Sequence, residues 1–548
     1  DTTGEWFLDD ILGHLHYIAS AGENPNTRNW IAPKLDKILV LNGTSTSPIS
    51  YVKFEDIQFR HTHWNLPPSG YNGTQAGYYG DNTGVDSSTW WRPISRAVEF
   101  NYAKYCSFDK CSMYNTGGGG IALLDGCVGN TVTSCDFQDI GGTAITVGDP
   151  YLENIYGARE CKYNTVSHNY IDKGGRIFHD AVGIWQGFAP YTTINHNVLT
   201  NLPYTGISIG WKWQKTATNQ SDITVAHNDI NTVMTNMIDG GGIYMLGRQP
   251  RTFIRNNRIL NSLNGNGLYN DQGSCFITLE KNIVKNTGKA SYQVNGQDII
   301  LSNNIFANAS QMYIDRVQKD AGLLTVTKNI FYVDKGWDLL HNYWSDTSSY
   351  TFTNNLYYDP RGWTLKWPDN RTFAQWQAIG KDAGSQIADP KFVNYSSNNF
   401  NFAAGSPAPG MGIEQIDTSK IGRDTAAPSG TVNTNSGATY TTSTSVQLNL
   451  TASDSFSGVT HVRFSNDNWD WSGWQTYSAT KSWTLASVSG TKTVYAQFRD
   501  DAGNVSATVS NTIILDTIAP NGTISINSGA AYTTTTGVVL TLSASDNL

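Results

Sequence analysis

Short stretches along this chain alternate apolar and polar positions, bend, and alternate again. NTVSHNYI, TTINHNVL, ITVAHNDI, TFIRNNRI, ITLEKNIV, IILSNNIF, LTVTKNIF and YTFTNNLY align on one asparagine each: Asn169, Asn197, Asn228, Asn257, Asn282, Asn304, Asn329 and Asn355. Successive asparagines are 28, 31, 29, 25, 22, 25 and 26 residues apart. Each copy reads as two short period-two strands separated by a sharp turn. Asparagine suits the turn, since it tolerates left-handed backbone angles and its amide can bond to the equivalent asparagine one coil away. A second register follows at a similar interval, in GIALLDG, TAITVGD, VGIWQGF, TGISIGW, GGIYMLG and NGLYNDQ, and supplies a third strand per turn.

Three strands per turn at this period predict an all-β fold, a right-handed parallel β-helix whose coils hydrogen-bond only to their neighbours. A propeller is disfavoured, because its blades need about 40 to 50 residues each. Cys111 and Cys135 fall at the asparagine position of earlier coils, which predicts buried free thiols, with a disulfide as the alternative.

The repeat fades after Asn355. The stretch from about 360 to 423 mixes a short helix with extended pieces and is expected to cap a solenoid domain of residues 1–423. DTAAPSGTV at 424 recurs as DTIAPNGTI at 516, a spacing of 92 residues that fits an immunoglobulin-like β-sandwich over 424–515. The second copy, 516–548, has too few strands to close, and Asp1 opens abruptly on GEWFLDD, as though from within a longer protein.

Composition narrows the function. With 37 Lys+Arg against 45 Asp+Glu, a net charge of -8 and no basic cluster, the chain lacks a face for nucleic acid or anionic lipid. No apolar run approaches the length of a membrane span. Cys106, Cys111, Cys127, Cys135, Cys161 and Cys275 contain no C-x-x-C pair, and HTHW, with His61 and His63, lacks a third ligand, so no metal is assigned. No cofactor is required, although a structural Ca²⁺ would be compatible. Few charges and abundant Asn, Thr, Ser, Gly and aromatics suit an extracellular protein that binds neutral polymers, here expected to be secreted and bacterial with its leader removed.

Long coils between about Cys135 and Asn257 can wall a cleft. Asp125, Asp149, Asp180, Asp239 and Asp271 gather along the third strand, accompanied by Trp185, Trp211, Trp213, Tyr244 and Tyr269. Trp185, Tyr244 and Tyr269 each follow the coil's Ile or Leu anchor and should point outward, where sugar rings could stack on them. A purely structural aromatic ladder is the competing role. Glycoside hydrolysis needs two carboxyls. Asp180 and Asp239 stand two coils apart, roughly 10 Å at the strand spacing. Asp239 and Asp271 could meet only if Asp239 folds back on a turn, which Gly240, Gly241 and Gly242 permit. Each aspartate could instead bond main-chain amides. His179, Arg248, Gln249 and Gln272 are further candidates for binding substrate hydroxyls.

HDAVGIWQGFAPYTTINHNVLTNLPYTGISIGW, DGGGIYMLGRQPRTFIRNNRI and GLYNDQGS together resemble the right-handed β-helix glycoside hydrolases, most closely family 141 (xylanase and α-L-fucosidase activities) and more distantly family 136 (lacto-N-biosidases). GEWFLDD and ADPKFVN extend the likeness over most of residues 1–423. The resemblance implies hydrolysis by aspartates of neighbouring coils, placed on Asp239 and Asp271, with His179, Trp185, Trp211 and Tyr244 lining the subsites of a poly- or oligosaccharide. Two alternatives stand beside it: a polysaccharide lyase, which would want cations where only Arg176, Lys212 and Arg248 are near, and a non-enzymatic adhesin. The tail is expected to space the solenoid from a cell wall or to position it on polymer.

Overall fold

The computed structural model describes residues 2–9, 11–66, 70–80, 91–317, 322–345 and 347–548. Three parallel sheets of 11, 11 and 12 strands run the length of a solenoid, each strand bonded to its counterparts one coil before and one coil after. They begin at Leu39–Asn42, Lys53–Glu55 and Gln58–Thr62. All three strands per turn are those marked by the two sequence registers. The apolar anchors stack as columns inside: Ile121, Ile145, Ile184, Ile207, Ile243 and Leu268 share one register.

The asparagines form a continuous buried ladder. The Asn228 main-chain N–H and side-chain Nδ2 both donate to Asn257 Oδ1 at 3.0 and 2.9 Å, Nδ2 also reaches the Ile194 carbonyl at 3.0 Å, and the Asn228 Oδ1 accepts the same pair of bonds from Asn197. Cys135 occupies the rung before Asn169, whose Oδ1 accepts the Cys135 N–H. All six cysteines are buried and free. One expectation is corrected: the left-handed backbone belongs to the residue before each ladder asparagine, such as His168, His196, His227 and Asn256 at φ of 54 to 56°. The ladder asparagine itself is not left-handed, and its amide bonds inward along the stack.

The helix Phe373–Ala378 carries a capping box and buries Trp376 against the last coil, where its indole N–H donates to Asp382 at 2.8 Å. The chain beyond it turns back along the outside of the solenoid, so that Phe400, Ala408, Ile413 and Ile416 cover an outward column of Ile283, Ile305, Ile330 and Leu356. A column of exposed β-branched and leucine side chains is thereby removed from water.

That return path brings residues 420–424 onto a stack of histidines and leads into a two-sheet sandwich. One sheet contains Ser429–Thr434, Ser445–Ser453 and Thr480–Thr484. The other is built on Gly490–Asp500 flanked by Val459–Ser465 and Val509–Leu515, and Val432, Leu448, Phe464, Val494 and Phe498 fill the space between them. Beyond it, Asn521–Ile526 and Leu540–Ser545 form an antiparallel pair.

His168, His196 and His227 stack face to face at 4.8 and 4.9 Å. Phe456 of the sandwich lies edge-on to His196 at 5.6 Å, and the Gly422 N–H donates to the His227 carbonyl at 2.7 Å. Burial, then the neighbouring His196 ring, lowers His168 to about 3 and His227 to about 4, and burial lowers His196. The charges of Arg423 on His168 and of Arg255 and Lys420 on His227 add to the depression, while hydrogen bonds to the main chain of Lys420 and Gly422, then Asp501 and Asp424, oppose it at His196 and Asp417 opposes it at His227. Since these rings fold neutral and an unfolded histidine titrates near 6.5, their contribution is complete above that pH and is lost as pH falls towards 4 and 3. The melting temperature of the full chain is therefore expected to fall on acidification from pH 7 to pH 4.5, and His196→Phe should blunt that dependence. Equal slopes for the two proteins would refute the assignment.

Candidate active site

The site forms on the outer face of the sheet that carries the isoleucine column. The residue after each anchor points outward, giving the register column Ala122, Thr146, Trp185, Ser208, Tyr244 and Tyr269. Thr146 and Ser208 are small and leave space beside Trp185.

An insertion that the sequence did not flag roofs this column. Gly73–Gln75, Tyr78–Gly80 and Trp91–Pro93 form a three-stranded antiparallel unit. It is tied down by Ala76 N–H to the Asp180 carbonyl at 2.7 Å, Thr143 Oγ1 to the Ala76 carbonyl at 2.7 Å, and the Tyr71 hydroxyl to both Asp180 carboxylate oxygens at 2.7 and 2.8 Å. Close approach is essential here: a Cβ on Gly73 would lie 2.9 Å from Asp180 Cγ.

The roof overturns the expectation that Trp185 offers its face to substrate. Trp185 is 0 % exposed, with Tyr78 and Trp211 against it at 5.0 and 5.5 Å. Tyr244 and Tyr269 are also buried, packed edge to face at 5.1 Å, and of the two only Tyr244 lines the cavity below. Gln249 is corrected as well: it is fully buried, and its amide donates to the Ile209 and Leu246 carbonyls. Arg248 lies over the Phe276 ring at 4.9 Å, and exposed Gln272 stands outside the cavity lining. His179 lines a separate cavity with Arg176 and Asn236.

What the roof creates is a cavity of about 280 Å³ lined by Thr74, Gln75, Asp180, Tyr204, Trp213, Met237, Asp239, Tyr244 and Asp271. All three aspartates proposed from the sequence meet there. Asp239 reaches it because the chain after Asp229–Val233 loops out and back; the Asp239 carbonyl accepts a short bond from the Tyr204 hydroxyl. Gly240 makes the return possible, since a Cβ there would sit 2.5 Å from Thr205 Oγ1. Among the described residues the Asp239 carboxylate has no hydrogen-bond partner, and the residue is exposed.

Asp271 is held differently. Its Oδ2 accepts the Tyr244 hydroxyl at 2.6 Å and its Oδ1 accepts Asn295 Nδ2 at 2.8 Å. Burial, then the Asp271 charge, drives the Tyr244 and Tyr269 phenols well above their usual range, so Tyr244 remains a donor. Burial is also the largest influence on Tyr204, to which Asp239, Asp271 and Asp180 all add. Burial raises Asp180 from its ordinary value despite the Tyr71 bond.

Asp125 and Asp149 serve structure, pairing with Arg159 at 2.8 Å and capping the Tyr151 N–H at 3.0 Å. Among the described residues no lysine or arginine lines the aspartate cavity. Among the described residues, a group of acidic oxygens close enough to share a cation lies elsewhere, in Asp424, Asp454 and Asp500 at the sandwich, within 4.8 Å of one another. No described helix is long and apolar enough to cross a membrane.

A family model described as a right handed beta helix region matches residues 96–262, the coils that carry most of this site. The chain is thus an all-β protein built on a right-handed parallel β-helix. Among solved structures it is similar to one described as a glycoside hydrolase, at 24 % identity and a TM-score of 0.46, covering 56 % of this chain and 55 % of that one. A mannuronic acid specific polysaccharide family 6 lyase from human gut microbiota is 11 % identical at a TM-score of 0.29, covering 53 % and 79 %. The PKD1 domain of Vibrio anguillarum Epp is 19 % identical at 0.14, covering 17 % of this chain and 98 % of that domain. No curated protein matches the sequence.

Proposed function

We propose that the protein is a glycoside hydrolase in which Asp239 and Asp271 act together on a carbohydrate held in the roofed cavity. The observation that carries this is the convergence of carboxylates from separate coils on one cavity without a cation among its described lining residues. Glycosidic cleavage requires a carboxyl that gives a proton to the leaving oxygen and a carboxylate that acts as base or nucleophile. Asp271, with both oxygens accepting hydrogen bonds, suits the second role. Asp239, with no hydrogen-bond partner for its carboxyl among the described residues, is free to meet the glycosidic oxygen. Asp180 borders the same space but is committed to Tyr71, and so positions the roof.

Two-carboxyl hydrolysis needs no cofactor; a structural Ca²⁺, where bound, would have its ligands in Asp424, Asp454 and Asp500. On this proposal the protein is secreted by a bacterium, and the immunoglobulin-like tail holds the solenoid near a cell wall or polymer. A lyase would place cationic groups beside an acidic sugar. Digestion of a glycan panel with product analysis separates the two: new reducing ends without an unsaturated, ultraviolet-absorbing product are expected, and accumulation of that product would establish the lyase instead. Binding without any cleavage across the panel would leave a non-enzymatic adhesin.

A further inference from the structure

A larger cavity, of about 520 Å³, adjoins the aspartate cavity. Trp213 lines both, so they share a wall. The rest of its lining comes from remote parts of the chain: Trp91 from the roof, Tyr151, Glu153 and Asn154 from the long coil after Gly148, and Trp211, Lys212 and Gln214 from the next long coil but one.

Its chemistry is specific. Trp91 and Trp213 are nearly parallel at 6.0 Å and 25°, and Trp211 stands edge-on to both at 5.4 and 5.3 Å. Trp91 and Trp213 are only half-buried, whereas Trp211 is buried with an indole N–H that has no acceptor among the described residues. The Tyr151 hydroxyl donates to the Trp91 carbonyl at 2.6 Å and so fixes the roof strand to the coil. Glu153 and Lys212 pair at 2.7 Å, which cancels the charge of the lining. Asn154 and Gln214 add neutral amides. Indole faces flanked by amides and a self-neutralised ion pair match a ring with an apolar face and hydroxyls at its rim, and offer nothing to a net charge.

We infer that this Trp91–Trp213 cavity is a binding subsite for neutral sugar residues adjacent to the cleaved bond, so that the substrate is a neutral oligo- or polysaccharide chain and not a short glycoside. The inference rests on the hydrolase proposal for the aspartate cavity. It explains why the tryptophan that borders the acids also borders the neighbouring space: a chain lying past Trp213 occupies both.

The test uses the full chain carrying Asp271→Asn, which uncouples binding from turnover, titrated calorimetrically with xylo-, manno- and cello-oligosaccharides of two, four and six residues and with oligogalacturonides as an anionic control. On at least one neutral ladder, affinity should rise about tenfold or more between two and four residues. Adding Trp91→Ala, or Gln214→Ala at an exposed position should the first variant melt early, should remove most of that gain. Affinity independent of length, a gain that survives both substitutions, preference for the anionic ladder, or no binding to any neutral ladder would each overturn the inference. A wild-type protein that cleaves no glycan while retaining Trp91-dependent, length-dependent binding would instead refute the hydrolase proposal and leave the subsite standing.

Discussion

Asp271→Asn is expected to lower kcat on a cleaved glycan by about 10² to 10⁴, the range spanned by removal of a positioned acid–base group, with kcat/KM falling in parallel. The substitution keeps the shape of the side chain and leaves an oxygen for the Tyr244 hydroxyl, which bonds Asp271 at 2.6 Å. It puts an amide where Asn295 Nδ2 now donates at 2.8 Å, so a smaller binding change should accompany the loss of turnover. Asp239→Asn should match it in size, since among the described residues its carboxyl makes no hydrogen bond that the amide would break. Tyr244→Phe removes a donor to Asp271 and an acceptor for Gln75, leaves both carboxyls in place, and should cost less than either aspartate. Steady-state kinetics of the purified variants decide the matter. Retention of more than a tenth of wild-type kcat by Asp271→Asn would remove it from the chemistry and move the assignment to Asp180 with Asp239.

The second large effect concerns stability. Asn228→Ala deletes a buried rung whose amide is bonded on both sides: the Asn197 N–H, one Asn197 Nδ2 hydrogen and the Ile194 carbonyl lose the partners they have now, while Asn257 Oδ1 keeps only the main-chain N–H of residue 228. Each buried group so stranded costs about 1–3 kcal/mol, and a total of roughly 3–6 kcal/mol is expected. Because each coil bonds only to its neighbours, the damage should spread to the coils on either side, which hydrogen exchange would show as a local loss of protection. Thr325→Ala, on a strand of the same solenoid and without a described side-chain hydrogen bond, should stay within about 0.5 kcal/mol. Equal melting temperatures for the two variants would mean that the ladder does not hold the stack.

These two predictions differ in how far the sequence supports them. The ladder was legible because each rung repeats at a coil's interval and bonds to its own counterpart, so a column of like residues in an alignment is a column in space. Cys111 and Cys135 could be placed on it for the same reason. The aspartates were legible as candidates, since Asp239 and Asp271 flank strand anchors and glycines permit the turn, but bare strand geometry favoured Asp180 with Asp239. Trp185 was misjudged. Its outward direction follows from alternation and is correct, but its burial depends on Tyr78, more than a hundred residues earlier and outside any repeat.

By itself the sequence determined the solenoid, its three strands per turn, the inward columns and the outward column on which the site is built, all consequences of a local periodicity that fixes which side chains meet one coil apart. Only the tertiary structure decided what covers that outward column. The roof of residues 71–80 and 91–93, the return of Asp239 into the cavity and the path of residues 400–416 along the isoleucines rest on contacts between segments of no common period. Such contacts depend on the shapes of surfaces that exist only after the coils have stacked.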